Sequence, residues 1–283
     1  MIVFTDLDGT LLDHETYEWQ PARPALDTLR ERGIPLVLVS SKTLAELEDY
    51  RTQLRLKHPV VAENGAAIDV PDEYFPETNF SAGTVSRAEL QSAYQEVKLA
   101  GGFLCEAFHE LGVAGIVRET GLTKAQAERA NDRLASEPIL WLDTDERAAD
   151  FEHEMDNRGL RCIRGGRFLH LMRNTSKEKA VRELMDAYAR KWPGRVLTSV
   201  SLGDGPNDLG MLATTDIAVI IPAKHKPSMT LESQNRILRP ESAGPAGWPE
   251  AILEILAGLD DSYPGERALG DFHHNGIIAT LHN

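Results

Sequence analysis

The chain has 283 residues, a formal net charge of −14 and two cysteines, Cys105 and Cys162. This length accommodates one large core or two domains, and two cysteines outside any CxxC spacing argue against a disulfide framework or a structural zinc site. The negative charge disfavours binding to nucleic acid or an anionic membrane, and the absence of a signal-peptide pattern or an apolar run of about 18 residues predicts a cytoplasmic protein.

The first part of the chain alternates short apolar runs with helical patterns. Residues 2–7 are typical of a buried strand that ends in acidic residues. A helix that begins at prolines and ends at a glycine is predicted over residues 21–33. Residues 34–39 form a second apolar strand. A capping box at Thr43 begins the next helix, and residues 60–62 are a third strand. This order predicts a parallel, doubly wound sheet.

The pattern changes between residues 81 and 165, where helices and strands no longer alternate regularly. Two helices are predicted here, over residues 87–99 and from the capping box of Thr123 and Gln126. They are followed by a strand over 139–142, a helix over 146–158 and a hairpin of strands 161–164 and 167–172, turned by Gly165 and Gly166. This mixture predicts a separate α+β unit inserted into the first domain.

The alternating pattern then resumes, with a helix over 177–191, a strand over 196–202, a helix over 208–213 and a strand over 216–221. We therefore predict an α/β fold, a doubly wound parallel sheet with an inserted α+β cap domain. The predicted core comprises residues 1–82 and 173–258, the cap residues 83–172, and residues 259–283 form a tail without a functional signal.

Two acids follow the first strand. Asp6 and Asp8 are two residues apart, so an extended backbone directs both side chains to one face. Two close carboxylates repel, which requires a shared cation or a proton on one of them. One acid could then attack phosphorus while the other donates and accepts a proton. An isolated pair of this kind is equally typical of a strand-to-loop turn.

A second acidic loop follows a later strand, in the segment Gly203-Asp204-Gly205-Pro206-Asn207-Asp208. Ligands of open α/β sheets bind outside the carboxyl ends of the strands, where Asp204 and Asp208 would join the first pair. Oxygen ligands together with a phosphate substrate favour Mg²⁺. Taken alone, the segment is also compatible with a glycine-rich turn before a helix.

Two further residues stand where phosphate could bind. Ser40, with Ser41, ends the second strand directly before a helix, where a hydroxyl and backbone N–H groups can hold phosphate oxygens. Lys177 begins a helix, a position at which the macrodipole disfavours a cation. A lysine there could neutralise a nucleophile and a phosphoryl group. The alternatives are a serine cap and a solvated lysine.

Together these segments resemble the four motifs of haloacid dehalogenase superfamily phosphatases: Asp6-Leu7-Asp8-Gly9-Thr10, Ser40, Lys177, and Gly203-Asp204 with Asn207-Asp208. The resemblance implies an aspartyl-phosphate intermediate, with Asp6 as nucleophile and Asp8 as general acid and base. It implies phosphate binding by Ser40 and Lys177, and Mg²⁺ held by Asp6, Asp204 and the backbone carbonyl of Asp8. Asn207 and Asp208 would orient the site.

A narrower resemblance is to mannosyl-3-phosphoglycerate phosphatases. It rests on Ser41-Lys42-Thr43, Glu63-Asn64-Gly65, Ser136-Glu137-Pro138, Gly166-Arg167-Phe168 with His170, and Gly244-Pro245-Ala246-Gly247-Trp248. The resemblance implies a phosphorylated sugar or glycosyl-glycerate as a small-molecule substrate, held under a cap. Its candidate contacts are Ser41, Lys42, Asn64, Glu137, Arg167 and His170. The planar guanidinium of Arg167 suits pairing with a carboxylate.

One departure is the loop before Lys177, residues 170–176, which lacks the glycine common in that family. Closure of a cap would exclude water, so hinges are predicted near Ser81 and over residues 165–174. Other substrates remain open, among them glucosyl-3-phosphoglycerate, sucrose phosphate and trehalose phosphate. A different class, a receiver-like module that accepts phosphate as a signal, would also use clustered aspartates and Mg²⁺, but it would have no substrate for a cap to enclose.

Overall fold

The structure, a computed structural model, describes residues 1–76, 78, 80, 86–165, 167–173, 175–223, 229–231 and 235–262. The strands of this part of the chain are β1 (Ile2–Thr5), β2 (Leu36–Val39), β3 (Val60–Ala62), β4 (Ala67–Asp69), β5 (Cys105–Ala107), β6 (Ser136–Trp141), β7 (Leu160–Arg164), β8 (Phe168–Arg173), β9 (Ser199–Gly203), β10 (Ile217–Ile220) and β11 (Arg236–Leu238). The α-helices are α1 (Arg23–Glu31), α2 (Leu44–Leu54), α3 (Arg87–Gly101), α4 (Phe108–Thr120), α5 (Lys124–Asn131), α6 (Asp145–Asp156), α7 (Lys177–Lys191), α8 (Leu209–Thr214) and α9 (Gly244–Ser262).

One sheet carries the core, with the strand order β11-β10-β9-β1-β2-β3-β4. Its strands pair in parallel, except that β4 runs antiparallel to β3 at the edge. The central strands β1, β2 and β9 are fully buried, which explains their continuous apolar character. Because β1 lies between β9 and β2, the loops that follow these three strands open at the same edge of the sheet.

Helices cover both faces of this sheet. On one face Leu29 of α1 and Leu47 of α2 pack with Trp248 of α9, whose indole N–H also donates to the Thr5 hydroxyl at 3.0 Å. On the other face Leu184 of α7 and Met211 of α8 pack against the strands. This is the doubly wound arrangement that alternating strands and helices predicted.

A second, antiparallel sheet has the order β5-β6-β8-β7. Side chains of α3 and α6, among them Tyr94 and Phe151, pack on one of its faces with Ile139, Leu169 and Leu171. All elements of this sheet lie between residues 86 and 173 of the chain, so the predicted combination of a parallel core with an α+β cap is confirmed. The exact domain limits stay a prediction.

Several elements were not predicted: β4, β5, β11, α4 and α9. Three of them are three-residue strands, too short for a period to emerge. Helix α4 is interrupted by Gly112, whose φ of 59° is not helical. The predicted tail begins inside α9, and residues 263–283 lie outside the described residues, as do Ser81, Gly166 and Asn174 of the predicted hinges. None of the helices in the described part of the chain combines the length and the apolar character that a bilayer span requires.

Candidate active site

The loop after β1 positions the first two acids. The backbone N–H of Asp6 still donates to Leu202 of β9 at 2.9 Å, so Asp6 is fixed at the strand end. The chain then turns tightly at Gly9, which has a φ of 81° and whose N–H donates to Leu12. A Cβ at Gly9 would come within 2.7 Å of the Asp204 carboxylate. Glycine is therefore needed here both for the backbone conformation and for space.

The loop after β9 brings two more acids to the same place. The carboxylate of Asp208 is fully buried and accepts hydrogen bonds from the backbone N–H groups of Asp204 and Gly205, at 3.2 and 3.0 Å. Asp204 also accepts a 3.4 Å bond from the hydroxyl of Thr10. Asp208 thus fixes the loop that carries Asp204, and the two strand-end loops are joined directly.

Lys177, the first residue of α7, lies between the two loops. Its side chain is 1 % exposed, and Nζ contacts Asp6 Oδ1 at 2.6 Å and Asp208 Oδ1 at 2.7 Å. Burial disfavours the charged form, but the carboxylates of Asp208 and Asp6 outweigh it and raise the pKa of Lys177. A buried ammonium at a helix N-terminus is held in place by these two acids rather than by the helix dipole.

Asp6 sits in a strongly negative environment. Burial raises its pKa to about 8, and the charges of Asp208, Asp8 and Asp204 act in the same direction, while Lys177 opposes them. Carboxylate oxygens of Asp6, Asp204 and Asp208 lie within 4.8 Å of one another. One lysine does not balance this charge. A further cation with a preference for oxygen ligands fits the cluster.

Asp8 faces the other side of the site. One of its oxygens, Oδ2, is paired with Lys42 Nζ at 3.0 Å, and this pairing helps to raise the pKa of Lys42 against the opposing effect of burial. The other, Oδ1, is buried and has no hydrogen-bond partner in the described part of the chain. A buried carboxylate oxygen without a partner is unfavourable by about 1–3 kcal/mol. Asp8 is therefore poised to bond a group that the chain itself does not supply.

Ser40 and Asn64 line the next strand ends. Ser40 is fully buried, and its hydroxyl accepts the Lys42 N–H at 3.2 Å, while its carbonyl accepts the Asn64 N–H at 2.9 Å. Asn64 has a left-handed φ of 57°, and its amide oxygen accepts a 3.3 Å bond from Asn207. The half-buried Ser41 follows Ser40. These bonds link the loop after β2, the loop after β3 and the acidic loop after β9.

The candidate cap residues are not gathered in one place. Glu137 is fully buried on the face of the cap sheet that packs against α3, and it accepts bonds from Arg87, Gln91 and His109. Arg87 lowers the pKa of Glu137, although burial alone would raise it. All of these partners lie within the cap, so the Glu137 carboxylate is already engaged there.

His170 lies within β8, and Arg167 lies just before this strand. His170 lies between the buried Leu169 and Leu171, so it points to the opposite sheet face from them. Its Nδ1 is buried and has no partner in the described part of the chain, and burial together with Arg133 lowers its pKa to about 3. Arg167 is exposed in the turn between β7 and β8. His170 is thus a neutral imidazole with an available nitrogen.

A contact between the core and the cap was missed from the sequence. The buried Glu63 accepts hydrogen bonds from the N–H groups of Leu134 and Ala135, at 2.8 and 3.1 Å, and from the Ser136 hydroxyl at 2.6 Å. We call this set the cap seat. Arg133 adds a bond from its guanidinium to the carbonyl of Ser41 at 3.4 Å. Glu63 belongs to the short motif Glu63-Asn64-Gly65, but no local sequence pattern indicates its partner Ser136, which is 73 residues away.

Residues 3–106 match the haloacid dehalogenase-like hydrolase family. Over 268 residues the chain is 37 % identical to the glucosyl-3-phosphoglycerate/mannosyl-3-phosphoglycerate phosphatase of Methanococcoides burtonii, which covers 90 % of this chain and 97 % of that protein. The chain belongs to the haloacid dehalogenase-like hydrolase family.

Two solved structures share the fold of this chain. A structure described as a haloacid dehalogenase subclass IIB sugar phosphatase aligns with a TM-score of 0.61 at 16 % identity, over 90 % of this chain and 98 % of that one. The protein 0175 of Thermoplasma acidophilum aligns with a TM-score of 0.63 at 14 % identity, over 90 % and 97 %. At these identities the likeness concerns the fold alone.

Proposed function

We propose that the protein is a Mg²⁺-dependent phosphatase that hydrolyses a phosphate monoester through phosphorylated Asp6. The observation that carries this proposal is the buried contact of Lys177 with Asp6 and Asp208, with Asp204 beside them. Lys177 holds one oxygen of Asp6, which leaves the other oxygen for attack on phosphorus. A carboxylate in this position is an activated nucleophile.

The reaction has two steps. In the first, an Asp6 oxygen bonds to phosphorus, the ester bond to the leaving oxygen breaks, and Asp8 donates a proton to that oxygen. In the second, Asp8 takes a proton from water, the water oxygen bonds to phosphorus, and the bond between phosphorus and Asp6 breaks. The unpartnered Oδ1 of Asp8 supports this role, since it is free to bond the leaving oxygen and then the water. Lys177 and Ser40 would bind the phosphate oxygens.

The acid cluster fits a Mg²⁺ ion. Asp6, Asp204 and the backbone carbonyl of Asp8 would hold it, and Asp208 would orient the loop through its bonds to the Asp204 and Gly205 N–H groups. The donor set consists of oxygens, which Mg²⁺ prefers, and a phosphate oxygen would complete it. When bound, the ion neutralises charge on the phosphoryl group during transfer.

The substrate class we propose is a glycosyl-3-phosphoglycerate, with mannosyl-3-phosphoglycerate first and glucosyl-3-phosphoglycerate next. The relative from Methanococcoides burtonii carries both names and is 37 % identical over 90 % of this chain. Lys42 beside Asp8, and Asn64, His170 and Arg167 supply cationic and polar groups for a phosphoglycerate. The partners of the protein would thus be small molecules rather than nucleic acid or a membrane. This agrees with the net charge of −14 and with a cytoplasmic enzyme.

A panel assay tests the proposal. Phosphate release with Mg²⁺ would be measured for mannosyl- and glucosyl-3-phosphoglycerate, sucrose phosphate, trehalose phosphate and p-nitrophenyl phosphate. The Asp6→Asn variant should lose turnover with all of them, while Asp27→Asn, a control on the exposed face of α1, should retain it. Near-normal activity of Asp6→Asn would refute the nucleophile, and rates within a few-fold across the sugar esters would refute the substrate class.

A further inference from the structure

A cavity of about 160 Å³ lies between the core helix α2 and the cap helix α5. Its walls include Tyr17, Lys42, Tyr50 and Gln53 from the core, and Gln126 and Arg129 from α5. An apolar cavity of about 150 Å³ is known to hold one benzene ring. The space between α2 and α5 is therefore of the size of a single six-membered ring.

The position of this cavity relates it to the leaving group. Lys42 lines the cavity, and its Nζ is 3.0 Å from Asp8 Oδ2. In the proposed mechanism Asp8 protonates the leaving oxygen, so the part of the substrate that departs lies on the Asp8 side of the phosphorus. A leaving group that extends from this oxygen past Lys42 enters the cavity.

Tyr17 forms the rim of the cavity in a strained conformation. Its φ of 59° is left-handed, which is unfavourable for a bulky residue, and its side chain is 42 % exposed. A hydrogen bond from its N–H to the Asp13 carbonyl at 3.0 Å holds the backbone there. Strain of this kind concentrates at ligand clamps. The ring, with Lys42 Nζ 5.0 Å from its centroid, presents an aromatic face at the entrance.

Three of the four charged residues around the cavity are ion-paired, and the fourth, Glu46, accepts the Thr43 N–H at 2.9 Å. Arg129 of α5 bonds Asp49 of α2 at 2.9 Å, and Lys42 bonds Asp8. The remaining wall residues are uncharged, and apart from Leu122 they are polar. Among them are the Tyr50 hydroxyl and Gln53, whose oxygen accepts from Trp19 at 3.3 Å while its NH₂ stays a donor. Paired charges give little net attraction for a second anion. Neutral donors and acceptors around an aromatic face suit a polyhydroxylated ring.

We propose that the cavity between α2 and α5, with Tyr17 at its rim, is the subsite for the sugar ring of the leaving group. This inference rests on the proposed phosphatase function and specifies where its selectivity arises. Because α5 belongs to the cap and α2 to the core, the subsite is complete only when the two are in contact. A substrate without the sugar would leave it unfilled.

The test compares two substrates that differ only in the sugar, mannosyl-3-phosphoglycerate and 3-phosphoglycerate. The quantity measured is the ratio of their kcat/KM values. Tyr17→Ala and Gln53→Ala should each lower this ratio about tenfold, since each removes one contact to the ring. Tyr17→Phe keeps the ring and should stay within about threefold of the wild type. Gln95→Ala, on the cap helix α3 away from the cavity, is the matched control and should not change the ratio.

A binding measurement complements the kinetics. Calorimetric titration with mannosylglycerate, the phosphate-free product, should give weaker binding for Gln53→Ala than for the wild type, with melting temperatures recorded to verify folding. Wild-type-like ratios in both alanine variants, or a wild type that does not prefer the glycosylated ester, would overturn the subsite. A wild type that releases phosphate from no ester with Mg²⁺ would instead refute the proposed function.

Discussion

Ser136, at the start of the cap strand β6, donates a 2.6 Å hydrogen bond to Glu63, which follows the core strand β3. The backbone N–H groups of Leu134 and Ala135, also in the cap, donate hydrogen bonds to the same carboxylate. Glu63 itself has a left-handed φ of 51°, and the next residue, Asn64, bonds Asn207 of the acidic loop. The position of the cap is thus linked to the site through consecutive residues of one loop.

Glu63→Gln should disturb the cap seat. A glutamine places an NH₂ group against N–H donors, so at least one buried donor loses its acceptor, at about 1–3 kcal/mol of unfolding free energy. The KM for a glycosyl-3-phosphoglycerate should rise more than kcat falls, because the cap contributes to binding. Urea unfolding and steady-state kinetics measure the two effects.

Glu110→Gln provides the control for this prediction. Glu110 accepts bonds from Tyr94 and Lys98 inside the cap and does not contact the core in the described part of the chain. The variant should lower stability and leave KM close to the wild-type value. An unchanged KM in Glu63→Gln would contradict a role of the cap seat in substrate binding.

Mg²⁺ should stabilise the folded protein before any substrate is added. An ion bound by the acid cluster at about 100 times its Kd adds about 2.7 kcal/mol to the free energy of unfolding. Denaturant unfolding with and without MgCl₂ measures this increment in the wild type and in Asp204→Asn. The variant should lose most of the increment, and Asp27→Asn should keep it; an equal increment in Asp204→Asn would place the ion elsewhere.

Lys177→Met should impair both stability and turnover. Removing the ammonium leaves Asp6 and Asp208 buried side by side, and breaking a buried ion pair in this way typically lowers the unfolding free energy by about 3–5 kcal/mol. Turnover should fall by about 10²–10³ through loss of phosphate stabilisation. Lys179→Met, exposed on the same helix, is the control, and it should show neither effect.

Acid should destabilise the fold through His58. Burial, with a smaller effect of Lys191, lowers the pKa of His58 from 6.5 to about 4, and its Nδ1 lies 2.8 Å from the Tyr74 hydroxyl. Between these pH values the unfolded chain binds the proton and the folded chain does not. This group therefore does not reduce the free energy of unfolding above pH 6.5. As the pH falls from 6.5 to 4, the free energy of unfolding declines by up to about 1.4 kcal/mol per pH unit.

Urea unfolding at a series of pH values measures this dependence. His58→Gln should flatten the decline, because the titrating group is gone. His153→Gln, at an exposed position of α6, should leave the slope as it is in the wild type. A slope of equal steepness in His58→Gln would assign the acid sensitivity to other groups, such as His170, whose pKa is also lowered.

The central elements of the fold were predictable because their signals are local. The capping boxes at Thr43 and Thr123 are present, and α7 spans the predicted residues 177–191. The strand before Asp6 pairs in parallel with the strand before Asp204, as alternating strands and helices imply. The meeting of the acids at one sheet edge follows from this pairing, so Lys177 and the two acidic loops were identified together.

The remainder depends on contacts distant in the chain. Nothing in the sequence near Glu63 indicates that its carboxylate accepts hydrogen bonds from the segment that begins β6. Arg133 lies in an irregular stretch that has no hydrophobic periodicity. Glu137 shows the converse, since its short motif predicted a substrate contact while its carboxylate bonds Arg87 within the cap. Which face of a strand points to a ligand depends on register, and register is fixed by tertiary packing.

The place of β1 in the sheet also sets an order of assembly during synthesis. β1 can pair with β2 soon after both emerge from the ribosome, since Val3 aligns with Leu36, but its other neighbour begins only at Ser199. Lys177 and Asp208 are also translated late, so a nascent chain carries Asp6 without its lysine until most of the protein exists. Asp6, Lys177 and Asp208 therefore come together only once the later strands have joined the sheet.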